Sequence, residues 1–206
     1  MVVLAIIITI TGVVLSSQST FNKTLVLSNT AYDIALTLRS AETYGISSRA
    51  SGVAVNAGYG LHFDKTTPGT FTLFSDTYPA PSTLSVCHPT SDAGAPDARP
   101  GDCVYESAYG EKVVEYVLGN AITISDFCAY ANGTASCAVA HGGGLSSLDV
   151  VFSRPNPDPL ISTNGTYSGV SPATAVCLTV SSPQGGTRFV SLGASGQIIA
   201  NAASCP

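Results

Sequence analysis

Charge is scarce in this chain of 206 residues, where only 10% of the residues are charged, against about 25% in a typical globular protein. Eight lysines and arginines oppose thirteen acidic residues, which gives a formal net charge of −5. Nucleic-acid binding by phosphate neutralisation needs clustered basic residues, so we expect no direct nucleic-acid binding. Because 45% of the residues are hydrophobic, the low charge also disfavours intrinsic disorder.

Cysteine is absent from the first 86 residues, and the six cysteines that follow form no CxxC motif. This spacing is poor for a zinc site or for thioredoxin-like redox chemistry. An even number of cysteines in a hydroxyl-rich, lysine-poor region favours disulfides made in an oxidising compartment. Six cysteines allow fifteen pairings. Local closure favours Cys87–Cys103 and Cys128–Cys137, which leaves Cys177–Cys205, and buried free thiols are the alternative.

Charge and proline are both missing from the N-terminal region, where Lys23 is the first charged residue and no proline precedes Pro68. The run Met1–Leu15 is almost entirely apolar. As a helix, the 22 uncharged residues before Lys23 would rise about 33 Å, enough to cross a hydrocarbon core of about 30 Å. We therefore predict a hydrophobic helical tail over residues 1–24 that is buried by a membrane or by other chains.

A second helical pattern follows the tail. Apolar residues recur at spacings of four, three, four and three, which is typical of one buried helix face; they are Leu27, Ala31, Ile34, Leu38 and Ala41. With only two glycines before Gly52, the pattern predicts one helix over about residues 1–50. We expect these five residues to pack against the rest of a head domain that spans residues 25–206.

Beyond Gly52, short alternating apolar runs are separated by Gly, Pro, Asn and Ser, which is typical of antiparallel strands. The sequence therefore predicts an α+β fold, in which the second half of the long helix lies on one antiparallel β-sheet. We predict strands over Tyr59–Phe63, Thr70–Phe74, Val113–Leu118, Ala121–Ser125, Leu148–Ser153, Ala175–Val180, Arg188–Leu192 and Gln197–Ala200, the last three as a meander.

Several segments resemble one protein family in the same order along the chain. They are MVVLAIII, AYDIALTLRSAETYGISSR, GYGLHFDKTTPGTFTLFSD, LDVVFSRPNPDP and TRFVSLGASGQIIAN. This combination is similar to the type IV pilins and type II secretion pseudopilins, in the subgroup that resembles the H-type pseudopilin. The resemblance implies a pilin fold. The family's cleaved leader, methylated N-terminal residue and conserved glutamate would precede Met1, so we expect the natural chain to begin upstream.

The resemblance implies a structural subunit of an extracellular type IV pilus, with adhesion, motility and DNA uptake unresolved. Its partners would be identical subunits, the inner membrane before assembly, and the pilus assembly machinery. The alternatives are a minor pseudopilin or tip subunit, or a membrane-anchored surface enzyme or binding domain. We expect the filament core to contain Val2, Val3, Leu4, Ile6, Ile7, Ile8, Ile10, Val13, Val14 and Leu15.

We expect no enzyme activity, no cofactor and no metal. The sharpest enzymatic signal is His141-Gly-Gly-Gly144, which resembles the oxyanion loop of some lipases. That motif needs a nucleophile elbow G-x-S-x-G, and Ser168 stands at the wrong offset in GTYSG. His62, His88 and His141 lack metal-site spacing. Asp64 and Asp76 follow strands and are predicted to be turn residues. Glycosylation sequons begin at Asn22, Asn132 and Asn164.

Overall fold

The computed structural model describes residues 2–47, 49, 56–79, 87 and 99–205, without the side chains of residues 5 and 13–22. Within this part, one helix, α1 (Val2–Ile46), precedes eleven strands. The strands are β1 (Gly58–Asp64), β2 (Thr70–Asp76), β3 (Lys112–Val117), β4 (Thr123–Ala131), β5 (Thr134–Cys137), β6 (Ser147–Ser153), β7 (Asn156–Thr163), β8 (Thr166–Tyr167), β9 (Ala175–Ser181), β10 (Thr187–Leu192) and β11 (Ile198–Ala202).

The described strands form two antiparallel sheets. The six-stranded sheet has the order β3-β2-β1-β6-β7-β8, and the five-stranded sheet has the order β11-β10-β9-β4-β5. In the first sheet, Leu61 pairs with Leu73 on one side and Val150 on the other. In the second, Cys128 stands opposite both Cys137 and Cys177. The C-terminal meander that the turns predicted is present, because β9, β10 and β11 are consecutive neighbours.

Two Asn-Gly turns close hairpins in different sheets. Asn132 and Gly133 join β4 to β5 with φ values of 51° and 75°, and Asn164 and Gly165 join β7 to β8 with φ values of 53° and 70°. A two-residue hairpin needs positive φ at both central positions in its commonest form, and Asn-Gly adopts these angles at little cost. The glycosylation sequons that begin at Asn132 and Asn164 therefore coincide with the turns of these two hairpins.

The core lies between the helix and the two sheets. Inward-facing residues alternate along the strands, as with Tyr59, Leu61 and Phe63 of β1, all buried. They join Phe152 of the first sheet and Phe127 of the second in one apolar cluster. Helix α1 packs against β1 and β6 of the six-stranded sheet and also against β10 and β11 of the five-stranded sheet. The helix thus covers part of both sheets.

The predicted fold class, a long helix with its second half on one antiparallel sheet, is wrong. The described chain is mostly antiparallel β structure in two sheets, and among the helix residues whose side chains are described, the buried ones lie between Leu27 and Gly45. Alternation of apolar residues predicts that a segment is a strand, but it carries no information on which strands share a sheet. The helix predicted over about residues 1–50 is also slightly too long, because α1 ends at Ile46.

Each of the eight predicted strands overlaps an observed strand, but β5, β7 and β8 were not predicted. In β7, the sequence NPDPLIST has two prolines among its first four residues, and proline cannot donate a ladder hydrogen bond. The strand nevertheless forms because its C-terminal half pairs with β6, where Ile161 opposes Val150. Strands β5 and β8 are too short, at four and two residues, to show alternation.

Candidate functional site

The first turns of α1 carry large apolar side chains that face solvent. Their exposure runs from 51% at Ile6 to 74% at Val2. The exposed members are Val2, Val3, Leu4, Ile6, Ile7, Ile8 and Ile10. The side chains of Val13, Val14 and Leu15, predicted for the same core, lie outside the described ones. Contiguous apolar surface of this kind marks an interaction site.

The second half of α1 is buried on one face only. Leu27, Ala31, Ile34, Leu38 and Ala41 are all at most 2% exposed and belong to the main core. Thr37 and Ala35 flank this face and are also buried. The stripe that the spacing predicted is therefore the face that contacts the sheets.

Gly45 sets how closely the helix approaches the six-stranded sheet. A Cβ atom at this position would lie 2.0 Å from the backbone oxygen of Phe152 in β6, where no side chain fits. The absence of a side chain lets the last turn of α1 contact the strand backbone directly. The sequence showed Gly45 only as one of two early glycines, and no local signal identified this contact.

A second apolar stripe on α1 was missed by the sequence reading. Leu25, Tyr32 and Leu36 are exposed and are spaced by seven and four residues, so they share the helix face opposite the buried one. Beside Leu36, which is 63% exposed, stands Val117 at the end of edge strand β3, 77% exposed. A groove of about 370 Å³ lies between the helix and this strand. This helix–β3 groove is lined by Thr30, Asp33, Leu36, Thr37, Ser40, Phe71, Tyr116, Val117, Leu118 and Gly119.

No helix in the described part of the chain is long and apolar enough to span a membrane. The prediction of a transmembrane helix over residues 1–22 is therefore wrong. The apolar run ends at Leu15 and is followed by Ser-Ser-Gln-Ser-Thr. Fifteen residues rise only about 22 Å as a helix, which is shorter than the hydrocarbon core of about 30 Å.

Three disulfides join the six cysteines, in the pairing that local closure favoured: Cys87–Cys103, Cys128–Cys137 and Cys177–Cys205. Cys128–Cys137 joins neighbouring strands β4 and β5, and Cys177–Cys205 ties the C-terminal tail to the central strand β9. Such bridges are typical of proteins that fold in an oxidising compartment.

Two buried carboxylates organise the segment around the first disulfide. Asp76 accepts hydrogen bonds from the backbone N–H groups of Asp102 and Cys103, at 3.1 and 2.9 Å. Glu111 accepts them from Thr77, Tyr78 and Glu106. Burial, and then the nearby Glu111 carboxylate, raise the pKa of Asp76 well above its usual value.

Asp76 is thus not the turn residue that the sequence predicted. Asp64 is one: its carboxylate accepts hydrogen bonds from the backbone N–H and the hydroxyl of Thr66, two residues on. Both aspartates end strands, so the sequence offers no signal that separates the fully buried carboxylate from the half-buried one.

A histidine–carboxylate pair joins two strands of the six-stranded sheet. Nδ1 of His62 in β1 lies 2.6 Å from Oδ1 of Asp149 in β6, and the His62 ring packs on Tyr105. Burial raises the pKa of the Asp149 carboxyl, although the His62 hydrogen bond opposes that rise. His62 lies in β1 and His141 in the loop after β5, whereas His88 lies outside the described residues.

His141 and Ser168, which the sequence placed in two imperfect hydrolase motifs, line the same cavity. This cavity of about 330 Å³, here named the intersheet cavity, opens where β4 and β5 of one sheet face β7 of the other. Ser168 accepts a hydrogen bond from the backbone N–H of Ser171 at 3.3 Å. His141 makes no hydrogen bond to any other described residue. A nucleophile paired with a base is therefore not assembled among the described groups.

Among the described residues, two clusters of potential metal ligands occur, and both contain a disulfide. They are Asp76 with Cys87 and Cys103, and Asp126 with Cys128 and Cys137. Disulfide-bonded sulfurs are not thiolates, so each cluster offers one carboxylate as its sole ligand. One ligand is too few for a metal site.

Comparison with protein families, curated proteins and solved structures finds no match for this chain. The candidate site therefore has to be interpreted from its own chemistry. Its leading features are the exposed apolar turns of α1, the helix–β3 groove and the intersheet cavity.

Proposed function

We propose that this chain is a structural subunit that polymerises through its hydrophobic N-terminal helix into an extracellular filament of the type IV pilus kind. The observation that carries the proposal is the exposure of seven large apolar side chains between Val2 and Ile10. Among the described side chains of α1, those that belong to the core begin at Leu27, so these seven stand apart from the sheets. A second copy of the same helix is the simplest partner for them.

The chemistry of these turns favours self-association. Residues 2–22 carry no charged side chain, so bringing two such helices together costs no charge desolvation. Fully burying a Val, Leu or Ile side chain is worth about 1.5–3 kcal/mol. The seven side chains thus supply a substantial gross driving force, from which the cost of ordering the assembly is subtracted.

The exposed stripe in the second half of α1 extends the same contact along the helix, and its member Leu36 also lines the helix–β3 groove. Leu25, Tyr32 and Leu36 continue an apolar stripe on the side of α1 away from the sheets. In a filament of parallel, staggered subunits, the exposed turns of one subunit would run along this stripe of the next. The three disulfides support the extracellular part of the proposal, since they suit an oxidising environment.

Replacing Ile7 with Asp tests the proposal in cells that produce the full chain. The charge would have to be buried without a partner in a filament core, which is strongly unfavourable. We expect I7D to abolish filaments recovered by shearing, while disulfide content and secondary structure stay unchanged. The matched control is V170D, which places the same charge at a valine that is 97% exposed on the head. Normal filaments from I7D, or loss of filaments from V170D alone, would overturn the assignment.

A further inference from the structure

The intersheet cavity has a lining without formal charge. None of its fourteen described lining residues is Lys, Arg, Asp or Glu. Its polar groups are Ser136, His141, Thr163, Asn164, Ser168 and Ser171. An ionic ligand would lose its hydration here without meeting a counter-charge, so the lining favours a neutral ligand with several hydrogen-bonding groups.

The floor of the cavity is apolar. Ala129, Leu145 and Ile161 are buried members of the core that reach the cavity from β4, from the loop after β5 and from β7. A ligand that fits would therefore place C–H groups on the floor and hydroxyl groups toward the rim. The volume of about 330 Å³ is near the lower end of ligand pockets, which span about 300–1,000 Å³. That size fits one ring rather than a long chain.

The walls are held in place before any ligand binds. Asn164 accepts hydrogen bonds from the N–H and hydroxyl of Ser146, and its amide nitrogen donates to the backbone oxygen of Gly144 at 3.0 Å. The Asp126 carboxylate accepts bonds from the N–H groups of Val139 and Ala140, at 2.8 and 3.0 Å. The loop that carries His141 is thus fixed at both ends. A preorganised wall reduces the ordering cost of binding.

Three polar side chains of the lining stay available to a ligand. Within the described residues, the side chains of Ser136, His141 and Thr163 form no hydrogen bond, whereas Asn164 and Ser168 are used inside the wall. The three come from β5, from the loop after it and from β7, so they reach the cavity from both sheets. Together they supply two hydroxyls and one imidazole, each able to donate and accept.

We infer that the intersheet cavity is a binding site for one neutral saccharide ring. A saccharide combines an apolar C–H surface with a rim of hydroxyls, which matches the floor and the free polar groups. The inference does not depend on filament formation, because the cavity lies wholly within the β-structured part of one chain.

Saturation-transfer difference NMR on the full chain tests the inference with D-glucose, D-galactose, D-mannose and N-acetyl-D-glucosamine as probes, and with D-glucuronate as the charged counterpart of glucose. We expect transfer to at least one neutral sugar, and weaker transfer to glucuronate. T163V removes one free hydroxyl at nearly constant shape and should weaken binding about threefold to tenfold, as loss of one neutral hydrogen bond does. A131L places a larger side chain on the cavity-facing side of β4, beside Ala129, and should abolish binding.

T179V is the matched control, since Thr179 is a half-buried strand residue of β9 that does not line the cavity. It should leave binding unchanged. The inference is overturned if no neutral sugar binds at 50 mM (roughly the weakest affinity that such a site would have), if glucuronate binds more tightly than glucose, or if A131L binds as the unaltered chain does. Because the readout is binding by the chain itself, failure here would leave the filament proposal standing, and the reverse also holds.

Discussion

The two halves of helix α1 have similar apolar residues in opposite surroundings. Ile7 and Ile10 in the first half are both 59% exposed, whereas Ile34 in the second half is fully buried. In the second half, polar residues separate the apolar ones, so the main apolar stripe occupies one face, which the sheets bury. In the first half, apolar residues occupy all sides, and a helix that is apolar all round needs partners all round. The comparison indicates that the head stabilises the second half, and the proposed filament would bury the first.

The largest expected effect comes from placing Asp at Ile34 instead of at Ile7. An unpaired carboxylate in the core is among the most destabilising changes known for a single residue. We expect I34D to lower the free energy of unfolding by more than about 4 kcal/mol, measured by urea denaturation, and I7D to leave it nearly unchanged. Equal destabilisation by the two variants would break the comparison.

Removing a disulfide should weaken the head without altering the exposed turns of α1. The chain-entropy relation assigns about 3–4 kcal/mol to a loop the size of that between Cys177 and Cys205, and about 2–3 kcal/mol to the shorter loop between Cys128 and Cys137. The C177S/C205S double variant should therefore unfold at lower urea concentration than C128S/C137S, with the wild-type chain above both. The reverse order would show that bridge position, and not loop length, decides the effect.

A rise in pH should act on the head alone, because residues 2–22 have no acidic or basic side chain. Burial raises the pKa of Asp76 and Glu111 in the folded chain, so the folded state keeps protons that the unfolded state has released. The stability contributed by these two groups is full below about pH 4, the ordinary carboxyl pKa, and is lost as pH rises through the folded values.

Carboxyl-carbon NMR titration checks this directly. The midpoint for Asp76 should lie well above that of an ordinary aspartate. Asp64 is the internal control, since hydrogen bonds from Thr66 lower its pKa despite partial burial. Its contribution has the opposite sign, being present above the ordinary value and lost as pH falls. A midpoint for Asp76 at or below that of Asp64 would contradict the electrostatic account of this segment.

The smallest expected effect concerns the exposed stripe in the second half of α1. L36S removes apolar surface from the helix–β3 groove and should change the free energy of unfolding by no more than about 0.5 kcal/mol, as exposed substitutions do. We expect it to reduce filament yield severalfold by electron microscopy. Leu38, two residues on, is buried, so L38S should instead destabilise the head. Similar behaviour of the two variants would show that the helix has no second functional face.

Periodicity and spacing predicted much of the local structure. The apolar stripe from Leu27 to Ala41 is buried, and the closely spaced cysteines pair with each other. These features depend on residues near in sequence, whose geometry the chain itself constrains. The Asn-Gly hairpins are of the same kind, because an Asn-Gly pair is itself a local turn signal, although no strand was predicted on the far side of either turn.

The sequence did not predict contacts between segments that are far apart along the chain. The division of strands into two sheets depends on contacts such as that of Ile124 with Val180, far along the chain. The burial of Asp76 depends on the backbone of residues 102 and 103 folding over it. The intersheet cavity combines Ser136, His141 and Thr163 from separate elements. No local sequence pattern predicts which of these distant residues come into contact.

A cryo-electron microscopy reconstruction of filaments made from the full chain tests the central claim most directly. The account predicts that Val3, Ile7 and Ile10 lie in van der Waals contact, within about 4 Å, of the helices of neighbouring subunits, in a core that contains no charged side chain. It also predicts that the two β-sheets face outward around that core. Filaments held together by the β-sheets, with residues 2–10 exposed to solvent, would contradict it.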